Sequence, residues 1–230
     1  MSRRTTKIIM IVDQSGSMEI IRRPTVRGVE DFIRDLNALP GRGLWTLVFF
    51  DDAASALGAG ELFPRIIFED RDSQELPEAP MALYRPRGST ALVDALYIVL
   101  TRARADYLRT PEALRPRMLV IIQTDGKENA SHQHTHAELR RLTAELQGWG
   151  WEFIYLGANQ DAFAVRQDLG FKKITIVPYA ANQADTKRAY RYVGHVARAW
   201  KTDGNQSAAD LLSSASPEIA PNPDDKGLQA

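Results

Sequence analysis

The sequence predicts an α/β protein with a doubly wound, mostly parallel central sheet and helices on both faces. Three observations carry this. Short apolar runs alternate with segments of helical periodicity along most of the chain, the pattern of successive β-α-β crossovers. The apolar runs are continuous, as strands covered on both faces require. The 230 residues, 44% of them hydrophobic, supply side chains for one well-buried core. One domain over residues 1–204 is expected, followed by a flexible tail over 205–230.

Each element has its own signal. In "IIMIVDQSGSM", Ile8 to Val12 read as a buried strand that stops abruptly at Asp13. Val26, Val29, Ile33 and Leu36 then recur near helical spacing, with Pro24 in the first turn and Gly41 past the end, which predicts a helix from Pro24 to Leu39. Leu44 to Phe50 is a second buried strand, halted by Asp51 and Asp52. "LFPRIIFED" is weaker, and its Pro64 places it at a sheet edge. After a proline-rich loop, Leu92, Leu96, Val99 and Leu100 mark one face of a helix. "RMLVIIQTDG" is the plainest strand of the chain. Leu139, Leu142 and Leu146 define the next helix, with Thr135 as its cap and Gly148 as its stop. "WEFIYLGAN" and "KKITIV" are strands separated by a short helix in "QDAFAVRQDLG", and "ADTKRAYRYVGHVARAW" is a final helix.

Composition removes several classes of function. Lys plus Arg and Asp plus Glu each number 29, so no broad basic field draws the chain to nucleic acid or anionic lipid. There is no cysteine, which excludes disulfides, thiolate nucleophiles and cysteine-ligated metals. The first apolar run is shorter than a signal-peptide core, and no window approaches the ~18 apolar residues of a membrane span, so a cytoplasmic protein is expected.

Three segments end strands or open helices with oxygen-bearing residues: "DQSGS" at 13–17, "GST" at 88–90 and "QTDG" at 123–126. Two carboxylates and three hydroxyls, with no nitrogen or sulfur among them, suit a hard divalent cation: Mg²⁺, Mn²⁺ or Ca²⁺. Alternate residues of an extended loop point the same way, so Asp13, Ser15 and Ser17 can share one ion, and Gly16 lets the loop bend. "DQSGS" alone would be equally at home as a helix cap; the three segments together favour metal.

In these residues the chain resembles a von Willebrand factor type A domain with a metal-ion-dependent adhesion site. The family motif is Asp-x-Ser-x-Ser after the first strand, a threonine before a central helix and an aspartate after the fourth strand. Asp13, Ser15, Ser17, Thr90 and Asp125 occupy those five positions. The similarity spans roughly residues 5–200, and "RGSTALVDAL", "TDGKEN" and "FIYLGANQDAF" resemble stand-alone bacterial and phage members. The resemblance implies that the serines, and the threonine in the ligand-bound form, coordinate the ion directly, that the aspartates often reach it through water, and that an acidic residue of a protein partner fills the remaining position. It also implies work beside a ring-forming ATPase; the chain has no P-loop of its own, so that ATPase would be another polypeptide.

Other polar residues invite attention. Asp94 is either an outer acceptor for the metal site or a solvated helix position, and Asp51 and Asp52 either touch the site or serve a turn. His132, His134 and His136 alternate and could share a zinc ion, although Thr135 among them reads as a cap. Asn159, Gln160 and Asp161 either cap a helix or line the partner-binding rim, and Trp149 and Trp151 read as core or rim packing ahead of a recognition platform. The expected function is thus non-enzymatic protein binding. The alternatives are a hydrolase built on Ser15, Asp125 and His195, which follow each other in the order of α/β-hydrolases, and a phosphoryl-transfer enzyme with Asp13 as nucleophile. Ser15 lacks the G-x-S-x-G elbow, and His195 falls inside a helix. A scaffold that uses metal only for stability is a further possibility.

Overall fold

The computed structural model describes residues 5–125, 128–158, 169–170, 175–202 and 207–213. Six strands form one sheet: β1 (Thr6–Asp13), β2 (Gly43–Phe50), β3 (Arg65–Asp72), β4 (Arg117–Thr124), β5 (Glu152–Ala158) and β6 (Thr175–Tyr179). Their order is β3-β2-β1-β4-β5-β6, and all neighbours are parallel except β3, which runs antiparallel at the edge. The described helices are α1 (Arg22–Asn37), α2 (Ala53–Gly58), α3 (Leu92–Arg109), α4 (His136–Gly148), α5 (Gln183–Thr202) and α6 (Ala208–Ser213).

β1 explains why its sequence is apolar throughout. Its side chains alternate between two cores. Ile8, Met10 and Val12 face the layer that includes α1 and α5, whereas Ile9 and Ile11 face that of α3 and α4. β2 and β4 flank β1 and follow the same rule. On the first layer α1 and α5 approach so closely that a Cβ on Gly28 would collide with the ring of Tyr190.

The chain winds from β1 toward β3, then returns to β4 on the other side of β1 and winds toward β6. The order therefore reverses between β1 and β4, and in such sheets the crevice beyond the carboxyl ends at that point is where ligands sit. Asp13 ends β1, and Asp125 directly follows β4.

Some boundaries differ from expectation. A 3₁₀ helix over Gly16–Ile21 precedes α1, which starts at Arg22 and ends at Asn37; Pro24 is accommodated because the first turn needs no N–H partner there. The stretch expected as a tail from residue 205 includes α6, whose Ala208 and Leu211 pack against the α1–α5 core. Ser207 and Asp210 bond reciprocally at its start. The expected helix over "QDAFAVRQDLG", with Asn159, Gln160 and Asp161, lies almost wholly outside the described residues.

Candidate metal centre

The site grows out of β1. Asp13 is 0% exposed. Its Oδ1 accepts the backbone N–H of Ser15 at 2.6 Å, and its Oδ2 accepts the hydroxyl of Thr124, the last residue of β4, at 2.5 Å. The strand register brings these two ends side by side, since Val12 pairs with Gln123. From below, the buried Tyr84 hydroxyl donates to the Asp13 carbonyl at 2.6 Å. Ser15 and Ser17 then turn their hydroxyls together, 3.2 Å apart, and Ser17 Oγ donates to Asp125 Oδ1 at 2.7 Å. Four of the five motif residues are thus joined in one chain of hydrogen bonds.

Thr90 is held against them by backbone. Gly16 N–H donates to Gly88 O at 3.0 Å, and Arg87 N–H to Gln14 O at 2.7 Å. Ala91 N–H donates to Asp51 O at 2.8 Å, while Thr90 and Asn129 exchange bonds through Thr90 N–H to Asn129 Oδ1 at 2.9 Å and Asn129 N–H to Thr90 O at 3.1 Å. The loops after β1, β2 and β4 therefore all fasten the segment that carries Thr90. Gly88 sits at φ +65°, and a Cβ there would strike Asp52 and Ser55, so glycine is required on both counts.

The other acidic residues prove to be fasteners. Asp51 Oδ2 accepts from Gln14 Nε2 at 3.1 Å and from Arg87 Nε at 2.6 Å; Arg87 also pairs with Glu61. Asp52 caps α2 through Ser55 N–H and also accepts Ser89 N–H at 2.7 Å. Asp94 is not solvated: it is 3% exposed and accepts the backbone N–H groups of His132, Gln133 and His134. Glu128 accepts the amides of Val93, Ala130 and Ser131, tying the same loop to the start of α3. Glu128 and Asn129 stand in "TDGKEN" and Arg87 opens "RGSTALVDAL", but nothing local in either segment signals these tasks.

The histidines do not converge. The ring of His134 stacks on Tyr97 with centroids 4.0 Å apart, and Thr135 forms a capping box with Glu138. Among the described residues no group of three or more His, Asp or Glu side chains is arranged to hold a metal. The oxygen cluster differs in kind, with two carboxylates and three hydroxyls.

Electrostatically the two carboxyls of the cluster differ from their acidic neighbours. Burial pushes the Asp13 carboxyl up to about 7, against the hydrogen bonds from Thr124 and Ser15 that favour its ionised form. Burial also raises Asp125, with Ser17 opposing. Neither forms an ion pair with a described residue. By contrast, burial raises Asp51 while Arg87 offsets it, and in Asp52 burial is outweighed by the amides of Ser89 and Ser55, which hold it below the ordinary range. An all-oxygen set with uncompensated carboxylates fits a hard divalent cation.

A doubly wound sheet with an oxygen-lined crevice at its reversal point defines the class of protein. No family model matches the sequence, and no curated protein matches it by sequence. Among solved structures, the mussel byssus proximal thread matrix protein 1, described with a zinc-occupied adhesion-site motif, is similar at 17% identity and TM-score 0.61, over 86% of this chain and 49% of that one. A von Willebrand factor type A protein from Catenulispora acidiphila is similar at 16% identity and TM-score 0.58, over 85% and 43%. Manganese-loaded TRAP protein from Plasmodium vivax is similar at 15% identity and TM-score 0.53, over 82% and 73%. The chain spans less than half the length of the first two. It has the von Willebrand factor type A fold.

Proposed function

We propose that the chain is a metal-dependent protein-binding module: Asp13, Ser15, Ser17, Thr90 and Asp125 hold one divalent cation, and a partner protein supplies an aspartate or glutamate to it. The observation that carries this reading is the hydrogen-bonded run Asp13–Ser15–Ser17–Asp125, whose two carboxylates pair with no described cationic side chain. Mg²⁺, Mn²⁺ and Ca²⁺ all suit such donors, and similarity to zinc-occupied and manganese-loaded structures supports a divalent ion. Bound there, the cation would supply a positive charge able to accept an outside carboxylate oxygen. The chain's residues favour that use: three of the five donors are neutral hydroxyls, which leave much of the cation's charge uncancelled. The Thr90 hydroxyl makes no hydrogen bond to a described residue and so is free to ligate.

Catalytic readings find less support. A phosphoryl-transfer nucleophile at Asp13 would want a general acid two residues on, where Ser15 stands. His195 is exposed mid-way along α5, roughly 18 Å of helix from Gln183, so it does not join Ser15 and Asp125.

Calorimetric titration of Mg²⁺ and Mn²⁺ into metal-stripped protein tests the proposal. One site is expected, lost in Asp13→Ala and in the exposed-position variant Ser17→Ala, and tightened by acetate. Equal binding by the variants would refute it. Stabilisation by metal with no effect of carboxylate would leave only a structural role for the ion.

A further inference from the structure

We infer that the partner presents its carboxylate from a segment with an apolar residue beside the acid and further acidic residues around it. This rests on the metal-binding reading above and specifies the partner. Residues Gly16–Ile21 form a 3₁₀ helix, in which side chains three positions apart eclipse. Met18 and Ile21 fill the buried side. Ser17, whose hydroxyl bonds to Asp125, and Ile20 therefore share the other side, about 6 Å apart along the axis. Ile20 is 79% exposed there. A single exposed isoleucine would be unremarked on any surface. Its position changes the weight: it shares a side with Ser17, and the exposed Leu83 directly precedes Tyr84, whose carbonyl takes Arg22 and whose hydroxyl bonds Asp13.

Arginines flank this 3₁₀ helix, whose one acid, Glu19, pairs with Arg22. Arg22 also reaches the Tyr84 carbonyl at 3.5 Å, which brings it beside Arg85. Arg85 and Arg23 are exposed, and neither forms an ion pair with a described residue. Such a setting steers an acidic segment toward the crevice and rewards an apolar side chain next to the docked acid.

The experiment is selection from a displayed heptapeptide library with a fixed central aspartate, on the full chain loaded with Mn²⁺, followed by titration of the best synthetic peptide. Leu, Ile, Met or Phe within two residues of the aspartate, and additional Asp or Glu, are expected. Ile20→Ser should weaken the peptide about tenfold, and Arg85→Glu should weaken it and flatten its salt dependence, while Mn²⁺ affinity matches the wild type in both. Peptides without an apolar neighbour, no enrichment in Mn²⁺ over chelator, or Ile20→Ser binding within twofold of wild type each overturn the inference. Failure of the wild type to bind Mn²⁺ overturns the metal reading as well, which separates the two.

Discussion

Ser17 Oγ donates to Asp125 Oδ1 at 2.7 Å, joining the loop after β1 to the loop after β4. This bond closes the crevice at the point where strand order reverses, and it places a neutral hydroxyl against a carboxylate that has no cationic partner among the described residues. Several outcomes follow from this arrangement and from the cation proposed for it.

Asp13→Asn should abolish metal binding, at least 100-fold in affinity, yet leave the metal-free protein as stable as wild type or more so, because it removes a buried charge while keeping an acceptor. Asp13→Ala should be less stable than Asp13→Asn by about 1–3 kcal/mol, since the Ser15 amide and Thr124 hydroxyl lose their partner. Urea unfolding in chelator, beside Mn²⁺ titration, checks both.

The pH dependence has a definite sign. Burial raises the Asp13 carboxyl from 3.8 to about 7, and Asp125 moves the same way. A carboxyl raised in the folded state stabilises fully below its unfolded value and loses that contribution as pH rises through about 7. Metal-free protein should therefore melt at lower temperature as pH goes from about 6 to 8. Protons compete with the cation, so Mn²⁺ affinity should rise over the same window, by up to about tenfold per pH unit. Melting curves in chelator and in Mn²⁺ should diverge with pH; parallel curves would contradict the account.

Arg87→Ala should cost about 2–3 kcal/mol, because it strips the one cationic partner that the buried Asp51 has among the described residues and unties the Thr90 segment from Glu61. Adding Asp51→Asn should recover part of the loss, which a double-mutant cycle in urea would show.

Gly28→Ala should destabilise by about 1–3 kcal/mol despite the better helix propensity of alanine, since its methyl would enter the Tyr190 ring. Tyr190 is itself held by a hydrogen bond to Gln123, so it cannot swing aside freely. A melting temperature equal to wild type would show that α1 and α5 separate easily.

Strands β1, β2 and β4 and their stops were legible because a strand covered on both faces must be apolar along its whole length, and the first polar residue marks its end. Asp13 and Asp125 were legible for the same reason, standing where such strands end, and Thr90 because it stands just before the helix α3. α6 was missed because six helical residues carry too little periodicity to outweigh a polar, proline-rich context, and only the burial of Ala208 and Leu211 reveals it.

Asp94, Glu128, Asn129 and Arg87 show where local reading stops. Each is a common polar residue with an ordinary local explanation, and each earns its task from a partner 35–40 or so positions away or from another loop. By itself the sequence determined the order and type of most elements and which oxygen-bearing residues end them, since those depend on periodicity and chain punctuation. Only the tertiary structure decided that Asp13, Ser15, Ser17 and Asp125 meet with no cationic partner among the described residues, and which buried carboxylates are instead satisfied by amides and arginine, because burial and pairing are properties of neighbours in space.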